Sequence, residues 1–211
     1  MPSSKSAKNT FYIPILNMIE TILQADQDLL LFLNGIHSPF FDVLLWQMTK
    51  FWFWLPLLVF ISWFLWKHYR KKVILIAVFC VLSIVISDRI SVLTKNQVAR
   101  LRPSHNTEIN SRLHLHTFDN GDVYRGGRYS FVSSHAANSF SLVLLLIYFF
   151  RPIHKRLRWL FSLCPLIFSY TRLYLGVHYP TDILCGAVLG LCCGVFVIWL
   201  YNVINFNPNK K

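Results

Sequence analysis

The chain has 211 residues, of which 55% are hydrophobic, 16% aromatic and only 14% charged, against roughly 25% charged residues in soluble domains. So few charges exclude an ordinary water-soluble globule and point to a lipid bilayer. The formal net charge of +12 is spread over short connections and one long polar segment. That distribution suits anionic membrane lipids and argues against a nucleic-acid partner.

The N-terminus lacks the compact basic, apolar and small-residue pattern of a cleaved signal peptide, so it is expected to remain in the mature protein. Segment Phe11 to Leu33 mixes apolar residues with Glu20, Asp26 and Asp28, which predicts an amphipathic helix lying on the membrane surface. Uncharged runs follow at Phe51 to Trp66, Val73 to Ser87, Ala136 to Phe150, Trp159 to Thr171 and Ile183 to Ile204. Only the last reaches the ~20 residues of an unaided crossing; flanking residues that snorkel extend the others. The expectation is an all-α polytopic bundle of about five spanning helices plus the interfacial N-terminal helix. Its parts would be a tail and interfacial helix over 1–38, a transmembrane domain over 39–205 and a short basic tail over 206–211.

Basic connections at Lys67 to Lys72 and Arg151 to Arg158 read as cytoplasmic hairpins. The long segment Lys95 to Ser134 and the short one Arg172 to Asp182 then fall on the opposite, outer side. The long segment carries Lys95, Arg100, Arg102, Arg112, Arg125 and Arg128, which opposes the positive-inside rule unless some of these charges are kept for chemistry. All five cysteines lie within predicted spans, where they read as small buried hydrophobes. Gly186, Gly190 and Gly194 recur every fourth residue in the last span and predict a smooth strip for close helix packing.

Three clusters carry the chemistry. In Lys95 to Pro103, Arg102 offers a planar donor fork suited to phosphate oxygens and Lys95 a compact point charge. In Ser130 to Phe140, Ser133 or Ser134 can cap a helix whose free amides bind anions. His135 sits in that first turn, placed to exchange a proton. In Thr171 to Asp182, Pro180 starts the last helix and Asp182 lies four residues after His178. The carboxylate can therefore reach back to one imidazole nitrogen and leave the other free as a nucleophile. With Arg172 beside them, the clusters gather three cations, two histidines and a carboxylate in one pocket. That set fits a phosphoryl group, which His178 would attack in line while His135 would protonate the leaving oxygen.

These three segments resemble the type 2 phosphatidic acid phosphatase family, whose signatures read KxxxxxxRP, PSGH and SRxxxxxHxxxD. Val132 and Ser134 stand where the second has proline and glycine, and Thr171 where the third has serine. The resemblance implies a metal-independent membrane lipid phosphatase that uses no cofactor. It implies His178 as nucleophile, Asp182 as its partner and His135 as general acid, with Lys95, Arg102, Arg172, Ser133 and the backbone of Ser134 holding phosphate. It also implies a bacterial inner-membrane location with a periplasmic active site. Its substrate candidates are undecaprenyl diphosphate, phosphatidylglycerol phosphate, phosphatidic acid and lipid A.

Asp88 and Arg89 fall near the outer end of the second span and are expected to pair with each other or across helices. His105, His114 and His116, with Glu108, Asp119 and Asp122, lack tight metal-ligand spacing and are expected to shape the pocket. A vanadium-dependent haloperoxidase would share the pocket, but those enzymes are soluble and larger. A noncatalytic anionic-lipid binding or transport protein would explain the cations but not the pairing of His178 with Asp182.

Overall fold

The computed structural model describes residues 5–151 and 155–205. The basic tail 206–211 and positions 152–154 of the connection Arg151 to Arg158 lie outside the described residues. The chain forms helices α1 (Lys5–Gly35), α2 (Pro39–Met48), α3 (Phe51–Tyr69), α4 (Val73–Val98), α5 (Ser134–Phe149), α6 (Lys155–Tyr174) and α7 (Pro180–Ile204).

By length and composition, Phe51–Val98 and Pro180–Ile204 are each apolar enough to cross a membrane. The first is two helices joined by a tight turn at Arg70–Lys72, with Arg70 at φ 45°. Ile61 and Ile84 line one cavity, whereas on a straight helix they would lie roughly 35 Å apart. The stretch therefore folds back on itself. Helix α5 is apolar but has 16 residues, short of a full ~20-residue crossing. Asn17–Gly35 and Pro39–Met48 meet the same composition test only as a pair, bent by 111°.

Helix α5 lies at the centre, packed by α4, α6 and α7. The glycine strip of α7 is its seat. A Cβ on Gly186 would lie 2.6 Å from the Ser133 carbonyl oxygen, and one on Gly190 would collide with the Ala137 backbone. On its other side α5 is stitched to α4 by Ser83 with Ser141, by Ser87 Oγ donating to Asn138 Oδ1 at 2.7 Å, and by Ser91 Oγ donating to Ser134 Oγ at 2.7 Å. The expected interhelical pairing of Asp88 takes this form too, as a 3.4 Å bond from the Asn138 amide.

Helix α1 carries Asp26, Leu30 and Asn34 on one buried face, at the four-residue spacing of a helical stripe. Asn34 Nδ2 donates to the carbonyls of Tyr174 at 2.7 Å and His114 at 2.9 Å, while Met18, Ile22, Leu29 and Phe32 point outward. Asp26 and Asn34 thus face protein, while Glu20 and Asp28 stay exposed. The histidines of the long loop anchor it to α2: His114 Nε2 lies 2.8 Å from Asp42 Oδ1, and His116 stacks on Trp46 at 3.9 Å.

The glycine seat yields a direct test. Gly190→Ala is expected to cost about 1–3 kcal/mol, the usual penalty of overpacking, and so to lower the melting temperature in detergent by several degrees. Gly35→Ala, where the added carbon meets nothing within 4 Å, should leave it unchanged.

Candidate active site

The site forms where α4, α5, α6 and α7 end or begin together. Helix α4 stops at Val98 because Ala99 turns into the left-handed region at φ 52°, four residues before Pro103. The chain that follows is pinned by Ser130 N–H donating to the Arg100 carbonyl at 2.8 Å and Arg102 N–H to the Arg128 carbonyl at 3.0 Å. These bonds aim Arg100 and Arg102 at the start of α7. Ser133, of the two candidate caps, is the one that caps α5, its Oγ accepting from Ala136 N–H at 3.4 Å. Ser134 Oγ instead accepts from Lys95 Nζ at 2.6 Å. The first amides of α5, at Ser134 and His135, have no acceptor within the helix by its geometry.

His178 is fully buried in the loop before α7. Its Nε2 lies 3.1 Å from Arg102 Nη1. A guanidinium can only donate, so Nε2 is the acceptor and the proton sits on Nδ1. That nitrogen faces Asp182 Oδ2 at 3.5 Å, an ion-pair distance just too long for a formed hydrogen bond. The carboxylate is held from other directions. Its Oδ2 accepts from Tyr179 N–H at 2.9 Å, its Oδ1 from Arg100 Nη1 at 2.9 Å, and its backbone carbonyl from Ser133 N–H at 3.0 Å.

Arg172, in the last turn of α6, is 3% exposed, and its Nε has no hydrogen-bond partner. Arg102 is 9% exposed. Among the described residues neither these two nor Lys95 has a carboxylate within ion-pair distance, in contrast to Arg100, which has two. Buried cations without counter-charge are costly, and the cost is offset when a multivalent anion binds. His135 is exposed at the mouth of an apolar cavity of about 290 Å³ that runs between α3, α4, α5 and α6, past Asn138, Ser139, Leu142, Phe161 and Phe168.

The family model of the PAP2 superfamily matches residues 74–206. The chain belongs to this superfamily. It is 42% identical over 192 residues, 89% of this chain and 80% of the other, to a lipid A 4′-phosphatase of Bacteroides thetaiotaomicron. It is 34% identical to a lipid A 4′-phosphatase of Porphyromonas gingivalis, over 87% of this chain and 75% of that one. Among solved structures, a transmembrane PAP2-type phosphatidylglycerolphosphate phosphatase from Bacillus subtilis shares the fold at a TM-score of 0.67. The match has 21% identity and covers 96% of this chain and 98% of that chain. Aquifex aeolicus LpxE matches at a TM-score of 0.59 and 22% identity, over 82% of this chain and 93% of that one. The protein is an integral membrane phosphatase of the PAP2 type.

The PAP2 signatures converge as the sequence implies, but two residues at their centre were not among the sequence candidates. In the sequence Arg100 reads only as a loop charge and Asp26 only as part of an amphipathic helix. Arg100, between two signature positions of the first cluster, gave the one hint in sequence, since it adds a third basic residue within eight.

Burial pushes the His178 imidazole down to about 4, with Asp182 opposing and Arg102 and Lys95 adding to the shift. A ring that is neutral in the folded state but protonates near 6.5 when unfolded makes the unfolded chain bind more protons, so stability is lost as pH falls from about 6.5 toward about 4. Melting temperatures between pH 7.5 and 4.5 should drop less steeply in His178→Asn than in the wild type. Parallel curves would show that His178 is not the group responsible.

Proposed function

We propose that this PAP2 phosphatase hydrolyses the 4′-phosphate monoester of a lipid A-type glycolipid through a phosphohistidine on His178. The observation that carries the mechanism is the His178 geometry, with Nδ1–H turned to Asp182 and the Nε2 lone pair turned to Arg102. The choice of lipid rests on the two lipid A 4′-phosphatase relatives.

In this reading the substrate phosphate takes the Arg102 guanidinium onto its oxygens and so frees Nε2. Lys95, Arg172, Ser133 and the amides at the start of α5 share the remaining charge. Nε2 attacks phosphorus and the P–O bond to the sugar breaks. His135 gives its proton to the departing oxygen, while Asp182 stabilises the charge that develops on the His178 ring. Water then attacks the phosphohistidine, His135 takes the water's proton, and inorganic phosphate leaves. No step requires a metal ion or cofactor. The apolar cavity that opens at His135 takes part of an acyl chain, so the headgroup sits at the cations while the tail stays among apolar side chains.

The basic turn Arg70–Lys72 lies at the opposite end of the bundle from the site, which supports a cytoplasmic turn and a periplasmic active site in a bacterial inner membrane. The exposed Met18, Ile22, Leu29 and Phe32 of α1 support its placement against lipid, with Asp26 and Asn34 joining it to the rest of the bundle.

The deciding experiment is phosphate release in detergent with EDTA from lipid A, phosphatidylglycerol phosphate, phosphatidic acid and undecaprenyl diphosphate. Wild type should release phosphate fastest from lipid A, and His178→Ala should lose activity by at least about a thousandfold, the scale of removing a catalytic nucleophile. Equal release by the variant would sink the mechanism; faster release from another lipid would sink the substrate assignment. Filling the cavity with Ser139→Phe should raise KM for a long-chain substrate several-fold and leave a water-soluble short-chain phosphate unaffected. A uniform loss on both would place the acyl chain elsewhere.

A further inference from the structure

Three polar side chains near the site belong to none of the PAP2 signatures. Asp26 projects from α1 and is 4% exposed. Its Oδ1 accepts from Thr181 N–H at 2.9 Å, and its Oδ2 accepts from Thr181 Oγ1 at 2.5 Å and from Arg100 Nη2 at 2.7 Å. Thr181 is the second residue of α7, so a carboxylate from 155 residues away caps the helix that carries Asp182. A negative charge there is favoured by the unpaired amides and by the helix dipole.

Arg100 completes the chain. Its Nη1 donates to Asp182 Oδ1 at 2.9 Å and to Thr181 Oγ1 at 2.8 Å, and its guanidinium lies over the Tyr179 ring at 3.8 Å. The side chains of Asp26 and Asp182 are 2% and 0% exposed, so one cation serves two buried carboxylates. A planar fork can do this because its terminal nitrogens diverge; an ammonium is a single point.

We infer that Asp26 and Arg100 are positioning residues for the phosphatase reaction: they fix the rotamer and charge of Asp182 against His178 and make the N-terminal helix α1 a working part of the active site. The inference rests on the phosphohistidine reading above. Asp182 touches His178 through Oδ2 alone; Oδ1 is held by Arg100, and Arg100 is held in turn by Asp26. Without Asp26 the guanidinium is free to collapse onto Asp182 or swing toward solvent, where it is already 19% exposed. Either movement lets the carboxylate rotate about its terminal torsion and leave the imidazole. The side-chain hydrogen bonds and ion pairs of both residues go to Thr181, Asp182 and each other, not to Lys95, Arg102 or Arg172, so phosphate binding is not expected to depend on them.

The test is kinetic and uses the full-length protein in detergent, with Asp26→Asn and Arg100→Lys as separate variants. Asp26→Asn keeps the shape and an acceptor for Thr181 N–H but gives up the ion pair; Arg100→Lys keeps one pairing and cannot span both carboxylates. Each should lower kcat by about tenfold to a hundredfold, the range seen when the outer partner that orients an active imidazole is lost. KM and the inhibition constant of inorganic phosphate should stay within about twofold.

Melting temperatures identify variants that are folded at the assay temperature, and either folded variant suffices. If neither folds, Asp26→Glu, which retains the charge, should recover both folding and activity. Unchanged kcat in a folded variant overturns the inference. So does a fall in kcat matched by equal losses in KM and phosphate inhibition, or an Asp26→Glu protein that folds without activity. Wild type and His178→Ala run alongside: if wild type fails to turn over or His178→Ala stays active, it is the phosphohistidine reading that fails.

Discussion

The interaction on which the rest of the site depends is the set of contacts made by Asp182. Its Oδ2 is fixed by the Tyr179 amide and faces the His178 imidazole, its Oδ1 is fixed by Arg100, and its main-chain carbonyl receives the amide of Ser133. One residue therefore ties the loop that presents His178, the turn that presents Arg102 and the helix start that presents Ser134 and His135. A buried carboxylate is expensive unless every lone pair is engaged. Here the partners that meet that cost are the same segments that carry the PAP2 signatures, so folding of this end of the bundle and assembly of the site are one event.

The charges around Asp182 fall into two kinds. Arg100 is fully compensated, with a carboxylate on each side, and its role ends inside the protein. Lys95, Arg102 and Arg172 lack such partners among the described residues, and two of them are nine-tenths or more buried. Compensated charge stabilises the scaffold, whereas uncompensated charge raises the free energy of the empty pocket and is relieved by a phosphate. The placement of negative charge decides which cation does which. Asp26 comes from α1 and Asp182 from α7, and both lie on the Arg100 side. Arg102, two residues further along, turns to the neutral ring of His178 instead.

Spacing made most of this site legible in the sequence. Lys95 with Arg102, Ser133 with His135, and His178 with Asp182 are each separated by a few residues, so local geometry alone brings their side chains near one another. The all-helical bundle was legible for a similar reason, because apolar runs must satisfy their backbone internally. Asp26 was not legible. The segment holds three carboxylates, of which Glu20 and Asp28 are exposed and Asp26 alone is buried, and nothing in their spacing singles out the one that turns to the protein with Asn34. A contact spanning 155 residues leaves no periodic trace. The end of α4 was legible only to within a turn, since Pro103 marks a stop that Ala99 makes earlier by entering the left-handed region.

The three faces of α5 account for where a lipid can enter. One face is closed by the glycine seat of α7, where the backbones approach too closely for a side chain, let alone a ligand, to pass. A second is closed by the ladder Ser83, Ser87 and Ser91 of α4, bonded at four-residue intervals to Ser141, Asn138 and Ser134. Interhelical hydrogen bonds of this kind hold register in an apolar medium, where no hydrophobic force draws helices together. The third face, carrying His135, Ser139, Leu142 and Leu146, borders the cavity beside α3 and α6, which Asn138 also lines. The helix at the centre of the bundle thus presents His135 on the side that borders the cavity. A phosphate seated at the three cations has its ester oxygen turned toward His135 only if the lipid leads away along that side. In the mechanism proposed above, rigid packing on two faces thereby fixes the direction of the leaving group, and the same constraint places both the cavity and His135.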